Sequence, residues 1–118
     1  MFGFKKKQVP VDTSVESRVE AGARLMDSQA PGWHETVRLS DLDLSSNYRC
    51  VLGQTYGSYT VGAYKVFGLF APNRGDESRA HGFDANRALT QEEIDREFIA
   101  LTRAWRREIR ERREKVSA

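Results

Sequence analysis

The C-terminal third of the chain has the clearest pattern of apolar and polar positions. Thr90 and Glu93 have the spacing of a helix capping box, and Leu89 precedes them as in a hydrophobic staple. Acidic residues crowd the first turns after this box and arginines crowd the last turns, which the helix dipole favours at both ends. The sequence predicts one long C-terminal helix, and residues 109–118 should project past the core because the apolar stripe thins there. The stripe steps by three or four residues: Ile94, Phe98, Leu101, Trp105 and Ile109.

A second amphipathic segment lies near the start of the chain. Thr13 and Glu16 also have capping-box spacing. We predict a helix over residues 13–27, which Pro31 and Gly32 would end. Its polar side carries Glu16, Arg18, Glu20 and Arg24. Its apolar or small side carries Val15, Val19, Gly22 and Met26, with Ala23 and Leu25 beside them.

Residues 46–70 carry a long apolar and aromatic stripe that is interrupted by glycine. An interior glycine costs a helix about 1 kcal/mol relative to alanine. Gly53, Gly57 and Gly62 therefore make one continuous helix expensive, and two helices that meet near Gly57 are favoured. The stripe consists of Tyr48, Leu52, Tyr56, Tyr59, Ala63, Val66 or Phe67, and Phe70.

The connecting segments are less regular. Residues 32–45 offer only a strand fragment or a single helical turn, and Trp33 should anchor them in the core. Residues 71–88 contain prolines and glycines and predict a loop with one short turn near residues 77–81, with Phe83 in the core. The predicted fold is all-α: one small domain of four to five helices over residues 12–118.

Residues 1–11 form a predicted basic, flexible tail. Phe2 and Phe4 precede Lys5, Lys6 and Lys7. Such a tail fits a solvated arm or a clamp on a partner protein or nucleic-acid backbone. Membrane contact through two phenylalanines and three lysines would be marginal.

Net charge, cysteine content and hydropathy limit the kinds of partner and the cellular location to expect. The formal net charge is only +2, so attraction to phosphate must come from local clusters of basic residues. Cys50 is the single cysteine, which excludes an intrachain disulfide and suits a reducing cytoplasm. Neither a membrane-spanning run nor a signal-peptide pattern is present, so we expect a cytoplasmic protein.

The residues that could carry chemistry are few and scattered. His34, His81 and Cys50 form no closely spaced set of metal ligands. Cys50 lies within an apolar run, which is typical of a small buried residue rather than of a nucleophile. The glycines do not match phosphate-binding or dinucleotide-binding fingerprints. The sequence predicts no catalytic site, metal or cofactor.

Binding to another protein is the first functional expectation. Aromatic side chains dominate the energetics of protein interfaces, so the aromatic residues would be the anchors if they prove exposed. The candidates are Trp33, Tyr48, Tyr56, Tyr59 and Tyr64.

Nucleic-acid binding is the alternative. The acidic residues Glu108, Glu111 and Glu114 can neutralise neighbouring arginines at i±4, so the helix end is either a solvated, self-neutralised surface or an interface for a polyanion or acidic protein. A DNA-binding helix-turn-helix motif with its turn at Gly57 is a further alternative, although its second helix contains only one basic residue, Lys65. The candidate contacts are Lys5, Lys6, Lys7, Arg106, Arg107, Arg110 and Arg113.

A family resemblance is carried by five short stretches of the chain: Ala30–Glu35, Leu42–Leu44, Cys50–Gln54 with Tyr56–Tyr59, Gly82–Ala85, and Leu101–Thr102 with Ala104–Trp105. These stretches resemble a group of small uncharacterised proteins from actinobacterial phages and their hosts' genomes. The resemblance spans about residues 20–110 and implies a phage or prophage accessory protein made in a bacterial cytoplasm. It implies no activity and assigns no functional residue. We therefore expect a non-enzymatic protein that binds a host or phage protein.

Overall fold

The capping box at Thr90 begins the longest helix of the fold. The computed structural model describes residues 14–68 and 73–117. In it the Thr90 N–H donates to the Glu93 carboxylate (3.0 Å), and the Glu93 N–H donates to the Thr90 hydroxyl (3.2 Å). Helix α6 follows over Gln91–Ser117. The five residues of the predicted apolar stripe are all buried, which confirms both the helix and its inward face.

The all-α prediction is confirmed. The described residues contain six α-helices and no strand, and α2 is a single turn, as the sequence of residues 32–45 allowed. A 3-10 turn at Leu39–Asp41 follows it. No helix in the described residues is long and apolar enough to cross a bilayer. The five helices before α6 are α1 (Val15–Gln29), α2 (Trp33–Thr36), α3 (Val51–Tyr56), α4 (Tyr59–Phe67) and α5 (Arg74–Ala80).

Helix α1 begins at Val15, because the Ser14 hydroxyl accepts the Ser17 N–H (3.1 Å) and caps it. The predicted cap, Thr13, lies outside the described residues. The predicted inner face of α1 is confirmed, because its buried residues are Val19, Gly22, Ala23 and Met26. The prediction for Arg18 is wrong: it is largely buried and pairs with Glu97 of α6 at 3.2 Å.

The centre of the core is an aromatic cluster around Trp105. Its indole N–H donates to the Gly82 carbonyl at 2.7 Å. Phe83 stacks on its ring with the centroids 5.2 Å apart, and Trp33 meets it edge-on at 5.6 Å. Both were predicted to be core residues, and both are buried. Gly22 of α1 lies so close that a β-carbon there would be 2.0 Å from the His81 carbonyl oxygen.

The tyrosine-rich middle forms two helices, as predicted. Gly57 separates α3 from α4 with a φ of 105°, which side chains disfavour. The Ser58 hydroxyl then caps α4 by accepting the Val61 N–H (3.1 Å). Tyr48 does not belong to the apolar face: it precedes α3 and is 66% exposed.

The prediction that residues 109–118 project past the core is wrong as far as Arg113. Ile109 is fully buried. Arg112 bridges to Asp27 of α1 at 2.9 Å. Arg113 donates to the backbone carbonyls of His34 (2.7 Å) and Val37. Long guanidinium side chains therefore hold this part of α6 on the junction of α1 and α2. The predicted tail, residues 1–11, lies outside the described residues.

The contact at Gly22 predicts a large effect of one methyl group. Gly22→Ala should lower the free energy of unfolding by more than about 2 kcal/mol, because the added carbon overlaps the His81 carbonyl and overpacks the core. Gly75→Ala is the matched control, since its β-carbon would make only ordinary contact. It should raise stability by up to about 1 kcal/mol. Urea unfolding measures both changes, and equal stability of the two variants would contradict the packing described here.

The bridge between Asp27 and Arg112 predicts a pH dependence. The Arg112 hydrogen bond, assisted by that from the Trp33 indole, holds the pKa of the Asp27 carboxyl below its usual range. A carboxyl whose pKa is lowered by folding stabilises the protein above its unfolded pKa, and this stability is lost as pH falls through the folded pKa.

Unfolding measured below about pH 5 should therefore lose stability less steeply in Asp27→Asn than in the natural chain. The exposed Glu20 provides the control. Glu20→Gln should keep the natural pH profile, and a profile in Asp27→Asn that matches the natural one would refute the role of this bridge.

Candidate interaction surface

Most of the predicted aromatic anchors are used inside the fold. Trp33 is 2% exposed, packs on Trp105 and donates to Asp27 at 2.9 Å, so it is not available to a partner. Tyr56 and Tyr59 are half-buried against the core. Only Tyr48 (66% exposed) and Tyr64 (37% exposed) remain among the five candidates.

Two of the four C-terminal arginine candidates are structural. Arg106 donates to the carbonyls of Leu39 (3.2 Å) and Leu42 (3.3 Å). Arg113 binds the carbonyls at the end of α2, as described above. Irregular backbone needs partners for its polar groups, and these guanidinium groups supply them. Arg106 and Arg113, two of the predicted nucleic-acid contacts, therefore have internal hydrogen-bond partners that the sequence did not reveal. Lys5, Lys6 and Lys7 lie outside the described residues.

Arg107 and Arg110 are exposed, and so is Arg103, which the sequence did not single out. Across the described residues no hydrogen bond or ion pair engages any of these three side chains. They lie at i, i+4 and i+7 of α6, within an arc of about 60° at 100° per residue. We call these three residues the arginine row.

Within residues 103–115, which the structure describes, the self-neutralised alternative holds for one arginine, Arg112. Glu108 pairs with Arg112 at 2.7 Å, as the i+4 spacing allows. Glu111 and Glu114 are exposed, and no cation of the described residues lies within ion-pair distance of either. The arginine row therefore keeps its charge unpaired.

A cleft of about 620 Å³ opens between α6 and the segment before α3. We call it the mixed cleft. Its apolar lining includes Ile99, which is 54% exposed, beside the largely buried Phe98. The Ser45 hydroxyl, assisted by Arg49, holds the pKa of Asp43 on its wall below the usual range. The charged lining carries both signs: Asp41, Asp43 and Asp95, with Arg49, Arg103 and Arg106.

A second cleft of about 480 Å³ lies between side chains of α6, and no other element of the described residues lines it. We call it the arginine cleft. It shares Arg103 and Arg106 with the mixed cleft, so the two adjoin. The described residues that line it are all charged: Arg103, Arg106, Arg107, Arg110, Glu111 and Glu114.

The three groups considered for catalysis have different surroundings. The Cys50 sulfur accepts the Gly53 N–H at 3.2 Å, and burial raises the pKa of its thiol. His34 lies 3.4 Å from Glu35, whereas the His81 ring packs on Phe67. None of the three lines either cleft. Among the described residues no group of three or more His, Cys, Asp or Glu is placed to hold a metal ion.

The helix-turn-helix alternative would use the outer face of α4. The exposed residues of that face are Thr60, Val61, Tyr64 and Lys65. The Tyr64 ring is partly covered by the Arg74 guanidinium, 4.2 Å from its centroid. Helix α4 therefore contributes one basic side chain, Lys65, beside apolar groups, which is a poor match to base edges.

Ile99 is an exposed apolar residue that the sequence did not single out as a binding candidate. It follows Phe98 directly and lies out of phase with the buried stripe, which was a sign that it faces away from the core.

Comparisons of the chain with models of protein families, with curated proteins and with solved structures give no match.

Arg113 is bonded to the backbone and Arg107 is unpaired, so the same substitution should change stability by different amounts at these two positions. Arg113→Ala should lower the free energy of unfolding by about 1.5–3 kcal/mol, because two backbone carbonyls lose a charged donor. Arg107→Ala should stay within about 0.5 kcal/mol of the natural chain, since its side chain is exposed and unpaired. Chemical denaturation compares the two, and similar losses in both would contradict the assignment.

Proposed function

We propose that the protein is a non-enzymatic accessory protein that binds another protein through the mixed cleft. The observation that carries this proposal is the exposure of Ile99. On α6 the other large apolar residues of the described turns face the core, whereas Ile99 is 54% exposed and lines a cleft of about 620 Å³.

The composition of the mixed cleft supports a protein partner. Protein interfaces combine an apolar centre with a polar rim and are enriched in arginine. Ile99 provides the exposed apolar surface beside the buried Phe98 and Leu42, and carboxylates and guanidinium groups surround it. Charges of both signs suit a partner with complementary charges and would fix its orientation more than its affinity. A uniformly anionic ligand would meet repulsion from the three aspartates.

The proposed setting is a bacterial cell that carries a phage or prophage. This part rests on the resemblance to actinobacteriophage proteins and identifies the partner only as a host or phage protein. The aromatic anchors that remain exposed, Tyr48 and Tyr64, line neither the mixed cleft nor the arginine cleft. We therefore expect Ile99, and not one of the tyrosines, to be the main apolar contact with the partner.

Site-specific photo-crosslinking tests this proposal. A benzophenone amino acid at position 99 should give one discrete protein adduct in actinobacterial cells, and the same group at the exposed position Glu20 should not. Excess unlabelled natural protein should remove the adduct from a lysate, but excess Ile99→Asp should not. Ile99→Asp should unfold within about 0.5 kcal/mol of the natural chain because the site is exposed. Equal adducts from both positions, or equal competition by the two proteins, would refute the proposal.

A further inference from the structure

We propose that the arginine cleft binds the phosphate backbone of nucleic acid. This inference is independent of the protein partner proposed for the mixed cleft. It rests on the difference between the arginines that bind backbone carbonyls, Arg106 and Arg113, and the unpaired arginine row.

The arginine row presents a line of unpaired charge. Arg103, Arg107 and Arg110 span about 10 Å along the helix axis at 1.5 Å per residue. Guanidinium groups bind phosphate oxygens through paired N–H donors. All three side chains are exposed, so none has to break an internal contact to do so.

The lining of the cleft favours nucleic acid over an acidic protein. Tight protein interfaces need an apolar centre from which water is excluded. Every described residue that lines the arginine cleft is charged, so its apolar surface is that of side-chain stems, whereas the adjoining mixed cleft contains Ile99 and Phe98. Backbone contacts to nucleic acid gain their free energy from released counterions and need no apolar centre.

The two glutamates set the limits of the site. Glu114 lies one turn beyond Arg110 on the same face, and Glu111 lies on its flank. These carboxylates repel phosphate, so contact should be confined to the turns between Arg103 and Arg110. The expected complex is a short, sequence-independent contact with about three phosphates, weak at physiological salt.

Fluorescence anisotropy with a labelled DNA duplex and a labelled single-stranded RNA tests the inference. Titrations at about 50 and about 200 mM salt give the slope of log affinity against log salt. The full chain should bind at the lower salt. Arg107→Gln with Arg110→Gln should make the slope shallower by about 1.8 for the duplex and about 1.4 for the single strand, because two phosphate contacts are lost. Binding at about 50 mM salt should weaken at least tenfold.

The matched control changes net charge by the same amount elsewhere. Arg24→Gln with Lys65→Gln removes two exposed positive charges outside both clefts and should leave affinity and slope near those of the natural chain. Arg107→Lys with Arg110→Lys should restore binding, which shows that charge and not packing is responsible. Circular dichroism should show equal helix content in all variants.

Three results would overturn the inference. The first is absence of binding at the lower salt. The second is unchanged binding in the Arg107→Gln, Arg110→Gln variant, which would place the contact elsewhere, for example at Lys5–Lys7. The third is binding of poly-glutamate as tight as that of either nucleic acid, which would assign the row to an acidic protein.

Discussion

The indole of Trp105 determines where three parts of the chain meet. Its N–H is buried and needs an acceptor, which the Gly82 carbonyl provides at 2.7 Å. Its ring needs close neighbours, and Phe83 and Trp33 pack on it. α1 can approach only because position 22 has no side chain. The turn after α5, the start of α2 and the middle of α1 are therefore fixed on α6 together, and the remaining elements follow from this arrangement.

Once α2 is fixed, the irregular backbone that follows it lies along α6 and needs hydrogen-bond donors. Arg106 and Arg113 of α6 bind its carbonyls from two points, and Thr102 accepts the Leu44 N–H at 2.9 Å. These contacts hold the segment that forms one wall of the mixed cleft. The same contacts explain why only part of the basic helix end is free.

The local pattern of the sequence predicted the features that depend on neighbouring residues. The capping box at Thr90, the buried stripe of α6 and the break at Gly57 depend on residues a few positions apart, and all three were predicted. The roles of Arg18, Arg106 and Arg113 were not, because their partners lie far away in sequence and are known only once the helices are packed. Trp33 was predicted both as a core plug and as a candidate anchor, and burial beside Trp105 decides between them. The position of Ile99 outside the buried stripe was visible in the sequence. The cleft beside it was not, because its other wall is formed by residues 40–49, which come close only in the folded chain.

Helix α6 separates stability from recognition on one element. Leu101, Trp105 and Ile109 lie on its buried side, and the arginine row lies on the exposed side. Arg106 and Arg113, between these two faces, bind backbone carbonyls, and Arg112, in line with the buried side, binds carboxylates, so all three belong to the fold. An arginine in the row contributes no internal contact, so its replacement leaves the core unchanged and alters only the surface charge. The positive charge of a helix end therefore says little about function until each guanidinium has been assigned to an internal partner or to none.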